Sequence, residues 1–253
     1  MSGFLDPHPT LLVFGHYTIY THGVFFAVGA LWGTFVLYIL ARHYKRRTDR
    51  VPDMALWIFL AGLIAARIGY ILLYPKEFSS FSDMVALWDG GLVSYFGIAA
   101  GLLVALLLLS RYSQAERLLW LDMLAPAGLA AWAVGRIGNY YAPDSIGIEL
   151  DRFSSFYNRV PIQLFESLFC LITAIILFLF LWRSQGKDKR TAAGWYVPVT
   201  FIAYGLARTI IDFWRDESAT AIYLKPSQIG SLVLLIVGIS WLTALLPTKK
   251  GAS

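Results

Sequence analysis

The sequence predicts an all-α polytopic membrane protein of about seven transmembrane helices, with the N-terminus outside and the C-terminus cytoplasmic. Three observations carry that expectation. Of 253 residues, 58% are hydrophobic and only 15% charged, with a mean hydropathy of +0.61; soluble domains carry roughly a quarter charged residues. Apolar stretches recur at lengths that suit a bilayer, whose hydrocarbon core of about 30 Å is crossed by about 20 residues rising about 1.5 Å each. The basic residues fall in alternating loops. The chain reads as a single integral membrane domain, 1–253, too short to hold a soluble domain as well.

The apolar stretches run about 19–41, 54–74, 92–109, 118–140, 162–182, 195–214 and 228–246. Residues 1–10 are polar and proline-containing, so no cleavable signal peptide is expected. The first stretch is followed by Arg42, Lys45, Arg46, Arg47 and Arg50, the third by Arg111 and Arg117, the fifth by Arg183, Lys187, Lys189 and Arg190, and the last by Lys249 and Lys250. That side holds 13 basic residues; the other holds five, namely Lys76, Arg152, Arg159, Arg215 and Lys225. Cytoplasmic loops collect Lys and Arg, which sets the orientation. Trp57, Trp88, Trp120, Trp182, Trp195 and Trp214 fall near span ends, where aromatic belts form. The longest loop, about 141–160, is external and holds Asp144, Glu149 and Asp151.

Two function classes drop out. The net charge of +5 does not indicate nucleic-acid binding, because the basic residues are spread over loops and form no patch. The single cysteine, Cys170, lies within an apolar run, so no internal disulfide is possible, and no metal-ligand spacing occurs. No metal and no cofactor are expected.

The informative residues are polar ones inside the spans. Three arginines, Arg67, Arg136 and Arg208, are intramembrane. Such charges are costly and face a cavity or a partner. From the cytoplasmic entry of their spans, Arg67 and Arg208 lie about 20 Å along and Arg136 about 27 Å along, all in the outer half. His22, Tyr95, Gln163 and Glu166 come in the first turns of spans that start outside. Asn139 shares a helix face with Arg136, and Asp212 is four residues after Arg208, within pairing distance. Asp122 is the exception, toward the inner end of its span. Three arginines against Glu166 and Asp212 leave about one excess positive charge, a site suited to an anionic phosphodiester such as an outer-leaflet phospholipid headgroup. The competing reading is that these buried ion pairs only lock helices together.

Several strings, in order, resemble one family. Gly135-Arg136-Ile137-Gly138-Asn139 resembles the signature of the prolipoprotein diacylglyceryl transferase family. So do Ala66-Arg67-Ile68-Gly69-Tyr70, Trp88-Asp89-Gly90-Gly91-Leu92, Asp122 with Pro126, Pro161-Ile162-Gln163-Leu164-Phe165-Glu166, Tyr204-Gly205 with Arg208, Asp212, Phe213 and Arg215, and Gln228. The likeness spans about 18–246. It implies transfer of the diacylglyceryl group of phosphatidylglycerol to the lipobox cysteine thiol of a preprolipoprotein signal peptide, with release of glycerol phosphate. It also implies a bacterial plasma (inner) membrane location, an active site toward the outer leaflet and no cofactor; a monomer is expected. By motif position it gives Arg136 and Arg208 active-site roles, matches Asn139 and Gly147 to invariant positions, and matches Gln163 and Glu166 to a conserved polar pair; Arg67 and Asp212 join them as expected substrate-binding residues. The nucleophile is on the substrate, in keeping with the absence of a candidate catalytic cysteine at the outer face. Two positions depart from the pattern. Tyr95 stands where some members carry a histidine, followed by Phe96 where glycine is usual, and His22 stands where many carry a tyrosine. His22 and Tyr95 are therefore the candidates for handling the thiol proton, and an imidazole with an ordinary pKa of about 6.5 suits that work. The alternative is a divergent paralogue acting on another anionic phospholipid.

Overall fold

The computed structural model describes residues 9–14, 17–86, 91–141, 147–149, 159–184, 194–216 and 225–245. Trp88, Asp89, Gly90, Asp144, Asp151, Arg152, Lys187, Lys189, Arg190, Lys249 and Lys250 lie outside the described residues. The elements are β1 (Thr10–Phe14), β2 (Tyr17–Tyr20), α1 (Thr21–His43), α2 (Val51–Leu73), α3 (Phe81–Val85), α4 (Ser94–Leu109), α5 (Gln114–Tyr140), α6 (Ile162–Ser184), α7 (Tyr196–Ile211) and α8 (Pro226–Leu245). A 3-10 turn, Asp212–Trp214, extends α7.

Each apolar stretch of the sequence corresponds to one long helix, within a few residues at each end. Five helices are long and apolar enough to cross a membrane: α1, α2 with the 3-10 turn before it, α5, α6 and α8. The apolar α4 and α7 have 16 residues each, about 24 Å of helix. The chain is thus a mostly helical, polytopic membrane protein. One correction falls at the first stretch: Ile19 and Tyr20 are extended, pairing with Leu12 and Thr10 in the antiparallel β1–β2 pair. Apolar content alone does not separate a strand from the first turn of a helix.

Helix α5 is the central column. Its apolar window is 61% buried, against 17–33% for the other four long helices. Small residues let its neighbours approach. A Cβ on Gly29 of α1 would lie 2.6 Å from the Ala131 carbonyl oxygen, and one on Gly33 would lie 2.8 Å from that of Ala127. Gly29 and Gly33 are one turn apart, as are Ala127 and Ala131, which makes a small-xxx-small seam on both faces. On the other side, Ser167 Oγ of α6 donates to the Ala133 carbonyl at 2.7 Å. Helix α8 packs along α7, where Gly205 faces the Ser231 carbonyl, and α2 packs along α4, where Gly62 and Gly97 bring the backbones together.

Asp122 ties the end of the bundle opposite Arg136. Its carboxylate is 1% exposed and accepts from Gly194 N at 2.6 Å and Tyr196 N at 2.9 Å. It therefore satisfies donors at the start of α7 from another helix, the task a local N-cap residue usually performs. At the other end, α3 is closed by a capping box in which Ser80 and Asp83 serve each other's backbone. Hydrogen bonds from Ser79 and Ser80 pull the exposed Asp83 carboxyl down to about 2. Because the folded value is depressed, this cap persists above the usual carboxyl range and is lost as pH falls toward 2.

Removing the Asp122 carboxylate leaves two buried N–H groups without an acceptor. Asp122→Ala is expected to cost about 1–2 kcal/mol, read as a lowered midpoint of thermal unfolding in detergent. Asp122→Asn keeps one acceptor oxygen and is expected to lose less.

Candidate functional site

Three helices deliver one cluster. Trp132 and Arg136 are one turn apart on α5, Gln163 and Glu166 nearly so on α6, and Tyr204 and Arg208 one turn apart on α7. Glu166 is the meeting point and is 1% exposed. Its Oε1 accepts from Trp132 Nε1 at 2.9 Å and from the Tyr204 hydroxyl at 2.6 Å. Its Oε2 pairs with Arg136 Nη2 at 2.8 Å and accepts from Arg208 Nη1. Both oxygens are thus occupied by donors from two other helices. A carboxylate so placed positions the guanidinium groups.

A second carboxylate continues the chain of charges. Asp212 is fully buried, and its Oδ1 lies 3.5 Å from Arg208 Nη2 and 2.9 Å from Arg215 Nε. Lys225 Nζ donates to the Asp212 carbonyl oxygen at 2.9 Å and also to that of Arg215, closing the end of α7. The connected charges are Arg136, Arg208 and Arg215 against Glu166 and Asp212, one positive in excess. Arg136 Nε, Arg215 Nη2 and Asp212 Oδ2 are buried with no hydrogen-bond partner among the described residues. Buried polar atoms are otherwise almost always paired, so these three are exceptions within the cluster. No group of residues able to hold a metal occurs among the described residues.

The structure brings Arg136, Arg208, Glu166 and Asp212 together and adds three residues that the sequence reading left out of the site. Trp132, Tyr204 and Arg215 each stand three or four residues from a charged member on the same helix or turn, and that spacing is the signal that points to them. Arg215 had been counted as a loop cation, yet it is 8% exposed and belongs to the cluster. Gln163 is buried beside Glu166. Asn139 follows Arg136 by one turn and is half-buried. His22 is half-buried, stacks on Tyr20 with ring centroids 5.6 Å apart, and has its backbone against Gly138, two residues from Arg136. Tyr95 lies within electrostatic reach of Arg208, Asp212 and Arg215, and its hydroxyl donates to the Ser227 carbonyl at 2.9 Å.

Two expected site residues have other surroundings. Arg67 donates from Nε to Met84 O at 2.9 Å, from Nη1 to Gly91 O at 3.2 Å and from Nη2 to Asp83 O at 2.5 Å. Its guanidinium also lies 5.1 Å from the Phe78 ring centroid. It holds α3 and the approach to α4 in place, a cation at carbonyls of a helix end. Gly147 is packed where a Cβ would lie 2.3 Å from the Val160 carbonyl oxygen and 3.0 Å from that of Trp214. Ile148 N donates to the Trp214 carbonyl at 2.8 Å, and Arg159 bridges Gly147 O, Glu149 and Asp216. The glycine lets residues 147–149 lie against the end of α7, next to Arg215.

The family model described as prolipoprotein diacylglyceryl transferase matches residues 9–244. The chain is 27% identical over 265 residues to the phosphatidylglycerol–prolipoprotein diacylglyceryl transferase of Trichormus variabilis, covering 98% of this chain and 93% of that protein. It is 26% identical over 246 residues to phosphatidylglycerol–prolipoprotein diacylglyceryl transferase 1 of Clostridium perfringens, covering 92% of each. A further relative, the phosphatidylglycerol–prolipoprotein diacylglyceryl transferase of Streptococcus equi subsp. equi, is 29% identical over 245 residues, covering 92% of this chain and 93% of that protein.

Breaking a buried charge cluster by removing one partner is strongly destabilising. Glu166→Ala is expected to cost about 3–5 kcal/mol, measured by denaturant or thermal unfolding in detergent. Glu166→Gln retains an oxygen for Trp132 and Tyr204 and is expected to recover part of that loss while still leaving the two arginines unneutralised.

Proposed function

The chain belongs to the prolipoprotein diacylglyceryl transferase family, and from that premise we propose that its Arg136–Glu166–Arg208 cluster carries the transfer of a diacylglyceryl group from phosphatidylglycerol to a prolipoprotein cysteine. The observation that carries this reading is the sharing of one buried carboxylate by two arginines, beside buried polar atoms that have no hydrogen-bond partner among the described residues. A carbon–sulfur bond forms between the peptide thiol and the terminal glyceryl carbon. The carbon–oxygen bond to phosphate breaks, and glycerol phosphate leaves. Negative charge grows on the departing oxygen, and arginines already fixed in place stabilise that charge more than they stabilise the ground state. Glu166 holds Arg136 and Arg208 so that neither must reorganise during the reaction. Asp212 does the same for Arg215.

The thiol must lose its proton to react, since its ordinary pKa is about 8.5. In this reading His22 takes that proton at the head of α1, next to the Arg136 turn of α5. Gln163 and Asn139 are polar groups for the glycerol headgroup. The fold in the bilayer is read as seven spans, α1, α2, α4, α5, α6, α7 and α8, with the N-terminus outside and the C-terminus cytoplasmic. That places the cluster toward the outer leaflet of the bacterial plasma membrane, where both substrates reside. A monomer contains every residue the reaction requires.

The test is complementation. Expressed in a bacterium depleted of its own transferase, the chain is expected to restore lipid attachment to a reporter lipoprotein. Arg136→Ala and Arg208→Ala are each expected to lower transfer by about 10²–10³-fold, the effect of removing one donor to a developing oxyanion. Wild-type protein that inserts in the membrane and modifies nothing would overturn the reading. For the proton, His22→Ala is expected to lower the rate by about 10²-fold or more; an unchanged rate would remove His22 from the mechanism.

A further inference from the structure

Tyr95 and Phe96, the two positions of α4 that depart from the family pattern, are adjacent rings, and each sits in a glycine notch on a different helix. A Cβ on Gly69 of α2 would lie 2.5 Å from the Phe96 ring. A Cβ on Gly230 of α8 would lie 2.4 Å from Tyr95 Cε1 and Cζ. The two attachments differ in depth. On the α2 side, a Cβ on Gly97 would lie 2.9 Å from the Gly62 carbonyl oxygen, and Val93 N donates to the Ala66 carbonyl at 3.0 Å. Helices α2 and α4 pack along each other and only slightly on the rest of the bundle. On the α8 side, α4 touches little beyond what Tyr95 reaches, whereas α8 packs along α7. An α2–α4 pair thus faces an α7–α8 pair across a seam. The seam lies at the end where Arg208, Asp212 and Arg215 sit, and all three act electrostatically on Tyr95.

We propose that Tyr95, seated on Gly230 and bonded to the Ser227 carbonyl, is a latch across the α4–α8 seam, and that this seam is the door through which an anionic diacyl lipid passes between the bilayer and the arginine cluster. The inference rests on the transferase reading for the identity of the lipid. Such a lipid must keep its chains in hydrocarbon while its headgroup reaches buried arginines, so its route is lateral. Opening here breaks the contacts of one hydroxyl, with the Ser227 carbonyl and the Ser231 side chain, and lifts one ring from a notch. The Ser227 carbonyl is not stranded when Tyr95 leaves, because Ser231 Oγ also donates to it at 2.8 Å. The phenol's freed hydroxyl turns toward the passing headgroup or toward water. Phe96 has no polar handle and stays in its notch on α2, so α2 and α4 move as a unit. Tyr95 acts here as a positioning residue.

Two readouts test the latch in full-length protein. Spin labels at Ser94→Cys and Val233→Cys, both exposed positions on the two facing helices, report the α4–α8 separation in phosphatidylglycerol-containing nanodiscs, with Cys170 replaced by alanine. Release of a pyrene-labelled phosphatidylglycerol, chased by unlabelled lipid, reports passage. Tyr95→Phe is expected to populate longer separations and speed release about fivefold, the factor that one ordinary hydrogen bond is worth. Gly230→Ala, which forces the ring out of its notch, is expected to do more. Unchanged separations in both variants, or separations that lengthen while release stays at the wild-type rate, would overturn the proposal. Transfer to a lipobox peptide is assayed on the same wild-type sample. Failure there with separations and release behaving as expected would overturn the transferase reading and leave the latch standing.

Discussion

The structure depends on one carboxylate. Glu166 is surrounded by apolar helices and holds two guanidinium groups on one oxygen, Arg136 from α5 and Arg208 from α7, while Trp132 and Tyr204 occupy its other oxygen. In a medium of low polarity each of these ions alone would be prohibitively costly, and together they are tolerable only in this geometry. The requirement fixes the rotation of α5, α6 and α7 about their axes, because each must aim its polar turn at the same point. On the proposed reading the same contacts that hold the helices also hold the arginines in place for an incoming anion.

Around that point the helices are held by close approach of small residues, with individual polar contacts such as Ser167 Oγ to the Ala133 carbonyl between them. The Gly29–Gly33 face of α1 lies on Ala127 and Ala131 of α5, and Gly205 and Gly238 of α7 and α8 meet carbonyl oxygens of their partner helices. In lipid there is no hydrophobic gain in bringing two apolar helices together, so contact area and fit decide which pairs form. This explains why the bundle divides as it does. The α1–α5–α6 core is continuous with α7 and α8, while α2 and α4 form their own pair and join the rest less tightly.

The charge count illustrates how far spacing carries an inference. Summing intramembrane arginines against Glu166 and Asp212 gives one surplus positive charge, and the cluster in the structure has the same surplus. The third arginine is a different one. Arg67 has the right depth but points at the carbonyls of Asp83, Met84 and Gly91, and Arg215, placed by its position in a loop, folds back onto Asp212. Depth along a helix follows from residue number, whereas the direction of a side chain about the helix axis depends on what the neighbouring helices present. The i,i+3 spacing of Asp212 and Arg215 was visible, but nothing local says whether an arginine just beyond a span turns back toward it or out to solvent.

The sequence by itself determined that this is a polytopic helical membrane protein, where its helices run, the polar positions Arg136, Glu166, Arg208 and Asp212, and the family to which they belong. It could do so because a bilayer imposes a length and an apolar content on every crossing segment, and because an ion inside such a segment stands out against that background. Tertiary structure alone decided that Glu166 is the shared centre, that Asp122 satisfies the start of α7 from a helix 72 residues away in sequence, and that Tyr95 rests on Gly230 of α8. These are contacts between segments far apart in the chain. Their partners are chosen by the fit of glycine notches and by the need to satisfy every buried polar group, and neither condition is written in any one stretch of residues.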